Sequence, residues 1–135
     1  MDAVSFLVQY HKCEKLIINK QAEVERWRAI AGSIGGFQMS ERVQTSSVSD
    51  KTADAIAKFA DYEAEIQRYR AIQKDILNVI ESLDADEYDI LHKFYVQSFN
   101  LPEIAQLYDK SYTWAHKLHT SALNSVQKIL NSHTK

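Results

Sequence analysis

The 135-residue chain suits one domain or two small lobes, and its 45% hydrophobic and 10% aromatic content is enough for a core. Only three Gly and one Pro interrupt it, so a mostly helical protein is expected. A net charge of −2 confines any nucleic-acid surface to one region; the single Cys13 excludes an intramolecular disulfide framework and fits a reducing cytoplasm.

Phe6, Tyr10, Cys13, Ile17, Val24, Trp27 and Ala31 step by fours and threes, with Lys20 the odd member. That pattern predicts one helical face over about 30 residues, ended by Gly32. The opening stretch MDAVSFLVQYHKCEK has no basic leader before an apolar block, so no secretory signal is expected. No apolar run of about 18 residues occurs anywhere, so no transmembrane helix is expected.

Residues 32–48 (GSIGGFQMSERVQTSSV) have no clear period and read as a loop. Their glycines are not a phosphate loop, because no Gly-Lys-Ser/Thr follows. Ser49 is a candidate N-cap, with Asp50 in the first turn of the next helix. That helix carries Ala55, Phe59, Tyr62, Ile66, Tyr69, Gln73, Ile76, Ile80 and Leu83, the alternating spacing of a coiled-coil seam. Gln73 is either a polar register device or a residue at a frayed edge. The two long helices fold back as an antiparallel hairpin or pair with a second subunit; the spacing does not choose between these.

Two start signals follow. At the first, Asp84 can cap the amide of Glu87, Glu87 can reach back, and Leu83 and Tyr88 form a staple. The helix after it is expected over about 85–97, burying Tyr88, Leu91, Phe94 and Tyr95. At the second, Asn100 caps, Glu103 is the box partner, Phe99 and Ile104 are the staple, and Pro102 is tolerated in the first turn. The short helix from Leu101 has Ile104, Leu107 and Tyr108 as its apolar face, with Ala105 small enough for a close crossing.

The chain then turns at Asp109, which enters the left-handed region more easily than most residues. Ser111 caps a last helix whose inward stripe is Ala115, Leu118 and Ala122, extended by Leu123, Val126, Ile129 and Leu130. Tyr112, Thr113, His116, Lys117 and Thr120 then point outward, where they can meet base edges or phosphates. From Lys110 onward there are four Lys (110, 117, 128 and 135) and no Asp or Glu, so this segment is locally basic. The pattern predicts a DNA-binding helix-turn-helix; the plainer alternative is a helical hairpin whose polar face meets water. Lys110, Ser111 and Lys93 are expected to hold the backbone, with Tyr112, Thr113, His116 and Lys117 reading the major groove. Four lysines alone bind weakly, which implies a homodimer or a protein partner.

At these residues the chain resembles region 4 of sigma-70-type factors. Glu103-Ile104-Ala105, Ser111 and Ala122-Leu123 stand at matching spacing. Asp109 stands where that family usually has Gly, and Lys110 where it has an apolar residue. Over roughly residues 20–125 the chain is similar to small phage-encoded regulators of the ArpU and RinA kind, through VERWRAIA (24–31), VQTSSVSDKTADAI (43–56) and SYTWAHKLHTSAL (111–123). The resemblance implies a phage or prophage transcription regulator in the bacterial cytoplasm, an activator of late genes bound to double-stranded DNA; the long helices are expected to dimerise or to engage RNA polymerase.

The expected fold is all-α: a helical hairpin or coiled coil over 1–83, with a loop near 32–49, then a three-helix sigma-like unit over 84–135. A small terminase subunit, or a helical adapter that no longer touches DNA, are the competing readings. No enzymatic motif appears, and no cofactor is expected. His116 and His119 lack further ligands at diagnostic spacing, so no metal is expected. The acids Asp84, Asp86, Glu87 and Asp89 suit a helix start, or alternatively a basic patch on RNA polymerase. Trp27 and Trp114 read as packing residues, Trp114 with the alternative of meeting DNA. Arg26, Arg28, Arg42 and Lys51 flank the connector and read as solvated surface, with a phosphate grip as the alternative.

Overall fold

The computed structural model describes the backbone of residues 1–35 and 46–133, and the side chains of 1–30 and 53–133. All regular structure among the described residues is helical. Helix α1 spans Ala3–Gly35 and α2 spans Ser46–Glu81. Helix α3, Ala85–Leu91, runs directly into a π-helical turn at His92–Val96. Helix α4 is Leu101–Leu107 and α5 is Tyr112–His133. No helix among the described residues is long and apolar enough to cross a membrane.

Two expected boundaries move. Helix α1 continues through Gly32 to Gly35, because a glycine inside a helix costs only about 1 kcal/mol relative to Ala and does not by itself stop one. Helix α2 begins at Ser46, so Ser49 lies inside it rather than at its cap. The rest of the expected loop, with Arg42, lies outside the described residues.

The chain divides into two compact units, residues 14–70 and residues 1–13 with 71–135. In the first of these, Ile17, Val24, Ala55 and Ile66 are buried, as the four-three spacing requires. Lys20, the odd member of its seam, carries its ammonium past the apolar residues to Glu65 at 2.7 Å and lies 5.3 Å from the Tyr62 ring centre. The Glu65 hydrogen bond raises the Lys20 pKa, and the same bond lowers that of Glu65. Lys58 lies over Trp27 and Arg28 over Phe59. Arg26 and Arg28 also pair with Glu23 and Glu25 on their own helix.

The second unit contains the larger core. Ala3 and Leu7 of α1 join Ile76 and Ile80 of α2, Ile90 and Leu91 of α3, Tyr95, Ile104 and Ala105 of α4, and Ala115, Ala122 and Val126 of α5. Phe6 and Tyr10 are only half-buried, so Ala3 and Leu7 hold the deepest positions at this end of α1. Gln73 does not fray: it is 7% exposed, and its Nε2 donates to the Tyr10 carbonyl at 3.2 Å. A buried amide with a partner costs little and favours one register over its neighbours.

The second start signal forms completely. The Glu103 amide donates to the Asn100 side chain at 2.9 Å, and the Asn100 amide donates to Glu103 Oε1 at 2.8 Å. The first does not form. Asp84 makes no side-chain cap bond, and the Glu87 carboxylate, instead of reaching back to it, accepts from the Ser121 hydroxyl of α5. Leu107 is a second departure: it is 58% exposed, and α4 buries Ile104 and Ala105 instead. A seven-residue helix ending in a tight turn has room for only one buried turn of side chains.

Ile104→Ala should therefore lower the free energy of unfolding by about 2–5 kcal/mol. Leu107→Ala should change it by no more than about 0.5 kcal/mol. Urea denaturation measures both, and equal losses would contradict the exposed position of Leu107.

Candidate nucleic-acid interface

The turn between α4 and α5 is built by hydrogen bonds rather than by glycine. Asp109 sits at φ 57°, in the left-handed region. Its amide donates to the Gln106 carbonyl at 3.1 Å, and the Lys110 amide donates to the Ala105 carbonyl at 2.8 Å. This pair of bonds is a Schellman ending, and an aspartate adopts it more readily than a branched residue. Ser98 ends the π-helical turn in the same region, at φ 70°. There the Phe99 amide reaches back to the Lys93 carbonyl at 2.9 Å, one residue further than usual because the preceding turn is widened.

Ser111 then caps α5: its Oγ accepts from the Trp114 amide at 3.0 Å. Trp114 is half-buried, with its ring 5.0 Å from that of Tyr108, so it packs across the turn between α4 and α5. Ala115 and Ala122 are 0% exposed, and Leu118 packs beside them. Side chains this small let α5 lie close against α3 and α4.

With that side seated, Tyr112, Thr113, His116, Lys117 and Thr120 are all exposed, as are Lys110 and Ser111. Tyr112 is 54% exposed and its ring lies 6.1 Å from that of His116. The first two turns of α5 thus offer hydroxyl, imidazole, phenol and ammonium groups along one continuous face. Lys93 is different. It is half-buried, donates to both carboxylate oxygens of Asp89 at 2.9 and 3.0 Å, and lies 5.9 Å from the Tyr108 ring centre. Its charge is already balanced within the fold.

Three contacts around α5 had no clear sequence signal. Glu87 Oε2 accepts from Ser121 Oγ at 2.8 Å, tying α3 to α5. The Ala3 amide donates to Gln127 Oε1 at 2.8 Å, tying α1 to α5. His119 is half-buried on α5, its Nε2 3.1 Å from the Tyr95 hydroxyl and its ring stacked on Tyr95 at 5.7 Å. Each joins residues far apart in the chain, where spacing carries no information. Among the described residues no cluster of His, Cys, Asp and Glu is placed to hold a metal ion.

Burial, and secondarily the neighbouring His116, lowers the His119 pKa, and burial raises that of Tyr95. No protein-family model, curated protein or solved structure matches the chain.

The lowered His119 pKa links stability to pH. The unfolded chain binds this proton near pH 6.5 and the folded one only at lower pH. The contribution is therefore complete above about pH 6.5 and is lost as pH falls toward the folded value. Thermal melts between pH 7 and pH 5 should show a decline that is shallower in His119→Gln; parallel curves would contradict the lowered pKa of the half-buried imidazole.

Proposed function

We propose that the chain is a sequence-specific regulator of transcription that binds double-stranded DNA through α4, the Asp109 turn and α5. The observation that carries this reading is the contrast across α5. Its inward side is sealed by Ala115 and Ala122, while Tyr112, Thr113, His116, Lys117 and Thr120 form an unobstructed polar face immediately after a tight turn. A helix about 10–12 Å across fits a major groove about 12 Å wide. In this reading α3, α4 and α5 are the three helices of a sigma-like helix-turn-helix unit. Helix α4 lies across the backbone, Lys110 and Ser111 hold phosphates, and the exposed face of α5 reads base edges.

The role of Lys93 becomes indirect: it holds α3 and Tyr108 in place rather than gripping phosphate. The remaining cations near the face, Lys110 and Lys117, are few. A homodimer that presents two such units, or RNA polymerase as a partner, supplies the missing affinity.

The long helices form the other half of the proposal. The contacts Tyr10 with Gln73, Lys20 with Glu65 and Trp27 with Lys58 fall on α2 as they rise on α1. That order supports an antiparallel hairpin within one chain rather than pairing of these faces with a second subunit. The similarity to phage late-transcription activators of the ArpU and RinA kind adds the biological setting, a prophage or phage regulator acting in the bacterial cytoplasm.

Anisotropy titrations of labelled duplex across a salt series test the placement of α5. Lys117→Ala should weaken binding to every duplex alike and reduce the salt slope by about 0.9. Selection from fragmented phage and host DNA should enrich a defined site. Unselective recovery, with an unchanged salt slope in the variant, would refute the assignment.

A further inference from the structure

The exposed cations of α5 lie in a row that α3 interrupts. Ser121 is one turn after Lys117, at i+4, and Lys128 is two turns further along, at i+7 from Ser121. These positions share one side of the helix. The Ser121 hydroxyl donates to Glu87 Oε2 at 2.8 Å, so a carboxylate from α3 is held at the one position of this side that falls between the two lysines in the chain. The chain segment from Lys110 onward contains no acid of its own. The fold supplies one from elsewhere, and holds it by a hydrogen bond. On the other side of α5, Gln127 is taken by the Ala3 amide of α1. The stretch of α5 free of both is Tyr112–Thr120.

We infer that Glu87 is a specificity-determining residue that limits the duplex footprint to the first two turns of α5. This rests on the duplex-binding reading above. A phosphate strand seated against Lys117 in the intended register stops short of Ser121. A strand sliding along the lysine row toward Lys128 meets the Glu87 carboxylate and is repelled. Sequence-independent binding depends almost wholly on phosphate attraction, so a fixed negative charge in the row penalises it more than the read-out register. Discrimination is gained by weakening the wrong complexes. The Ser121 bond matters because an unanchored glutamate would swing away from an approaching phosphate.

The test measures binding of the full chain to a random-sequence duplex by anisotropy at two salt concentrations. Glu87→Gln keeps an oxygen that can accept from Ser121 and removes the charge. It should bind the random duplex about fivefold more tightly, an effect expected for one unit charge near contact and reduced at the higher salt. Ser121→Ala removes the hydrogen bond but keeps the charge, and should tighten binding less. If Ser121→Ala tightens it as much as Glu87→Gln, loosened packing is the cause and the inference fails. Ser121→Asp adds a second charge in the same place and should weaken binding; unchanged affinity there overturns the inference even if Glu87→Gln does not fold. If wild type binds, Lys117→Ala weakens it, and Glu87→Gln does not tighten it, the duplex reading stands and this one falls. If wild type binds no duplex, both fall.

Discussion

The close seating of α5 is the constraint on which the rest of this structure depends. Ala115 and Ala122 carry almost no side chain, so the helix can approach α3 and α4 to a distance that a leucine at either position would forbid. Filling that space with extra methylenes would force neighbouring residues off their rotamers. The approach is repaid by Ile90, Leu91, Ile104 and Val126, all fully buried around it. Because one side of α5 is committed so tightly, its orientation is set, and the opposite side is presented as a fixed surface. Exposure of Tyr112, Thr113, His116, Lys117 and Thr120 is thus a consequence of packing.

Polar groups then refine what apolar packing has established. The Asn100 and Ser111 caps terminate the backbone at the starts of α4 and α5, and the Asp109 bonds close the turn between them. In the core and at its margin, the pairing of buried Gln73 with Tyr10 and of half-buried His119 with Tyr95 leaves these polar side chains partnered. Such pairs add little net stability, but breaking either would strand a group away from water. They discriminate against shifted registers that apolar contacts alone would tolerate.

Charge in this protein is arranged locally. The chain is slightly acidic, yet the surface around the start of α5 carries Lys110 and Lys117 without an ion pair within the motif. Four other cations are balanced in place: Lys93 by Asp89, Lys20 by Glu65, Arg26 and Arg28 by their own helix. An anionic ligand approaching the start of α5 meets two exposed lysines with no ion pair among the described residues. Glu87 sits beside that end and sharpens its limit.

Much of this architecture was legible in the sequence, because helices are encoded by local periodicity. The seam positions Ile17, Val24, Ala55, Ile66, Ile76 and Ile80, the Asn100–Glu103 box, the left-handed Asp109 and the Ser111 cap all follow from spacings of three, four or fewer residues. Helix ends without strong signals were less legible: Gly32 is passed over, and α2 starts before Ser49, since neither glycine tolerance nor capping is decisive alone. Competition between partners was not legible at all. Glu87 was placed in a local cap by its spacing from Asp84, but a hydroxyl 34 residues away holds it. Leu107 read as core because its spacing fits, yet the short α4 has no partner on that side. Ala3 and Leu7 joined the core of the C-terminal helices only because α2 brings that end of α1 beside them. Local chemistry can specify where a helix begins and which stripe is apolar; which distant side chain reaches a given polar group is decided only when the helices pack.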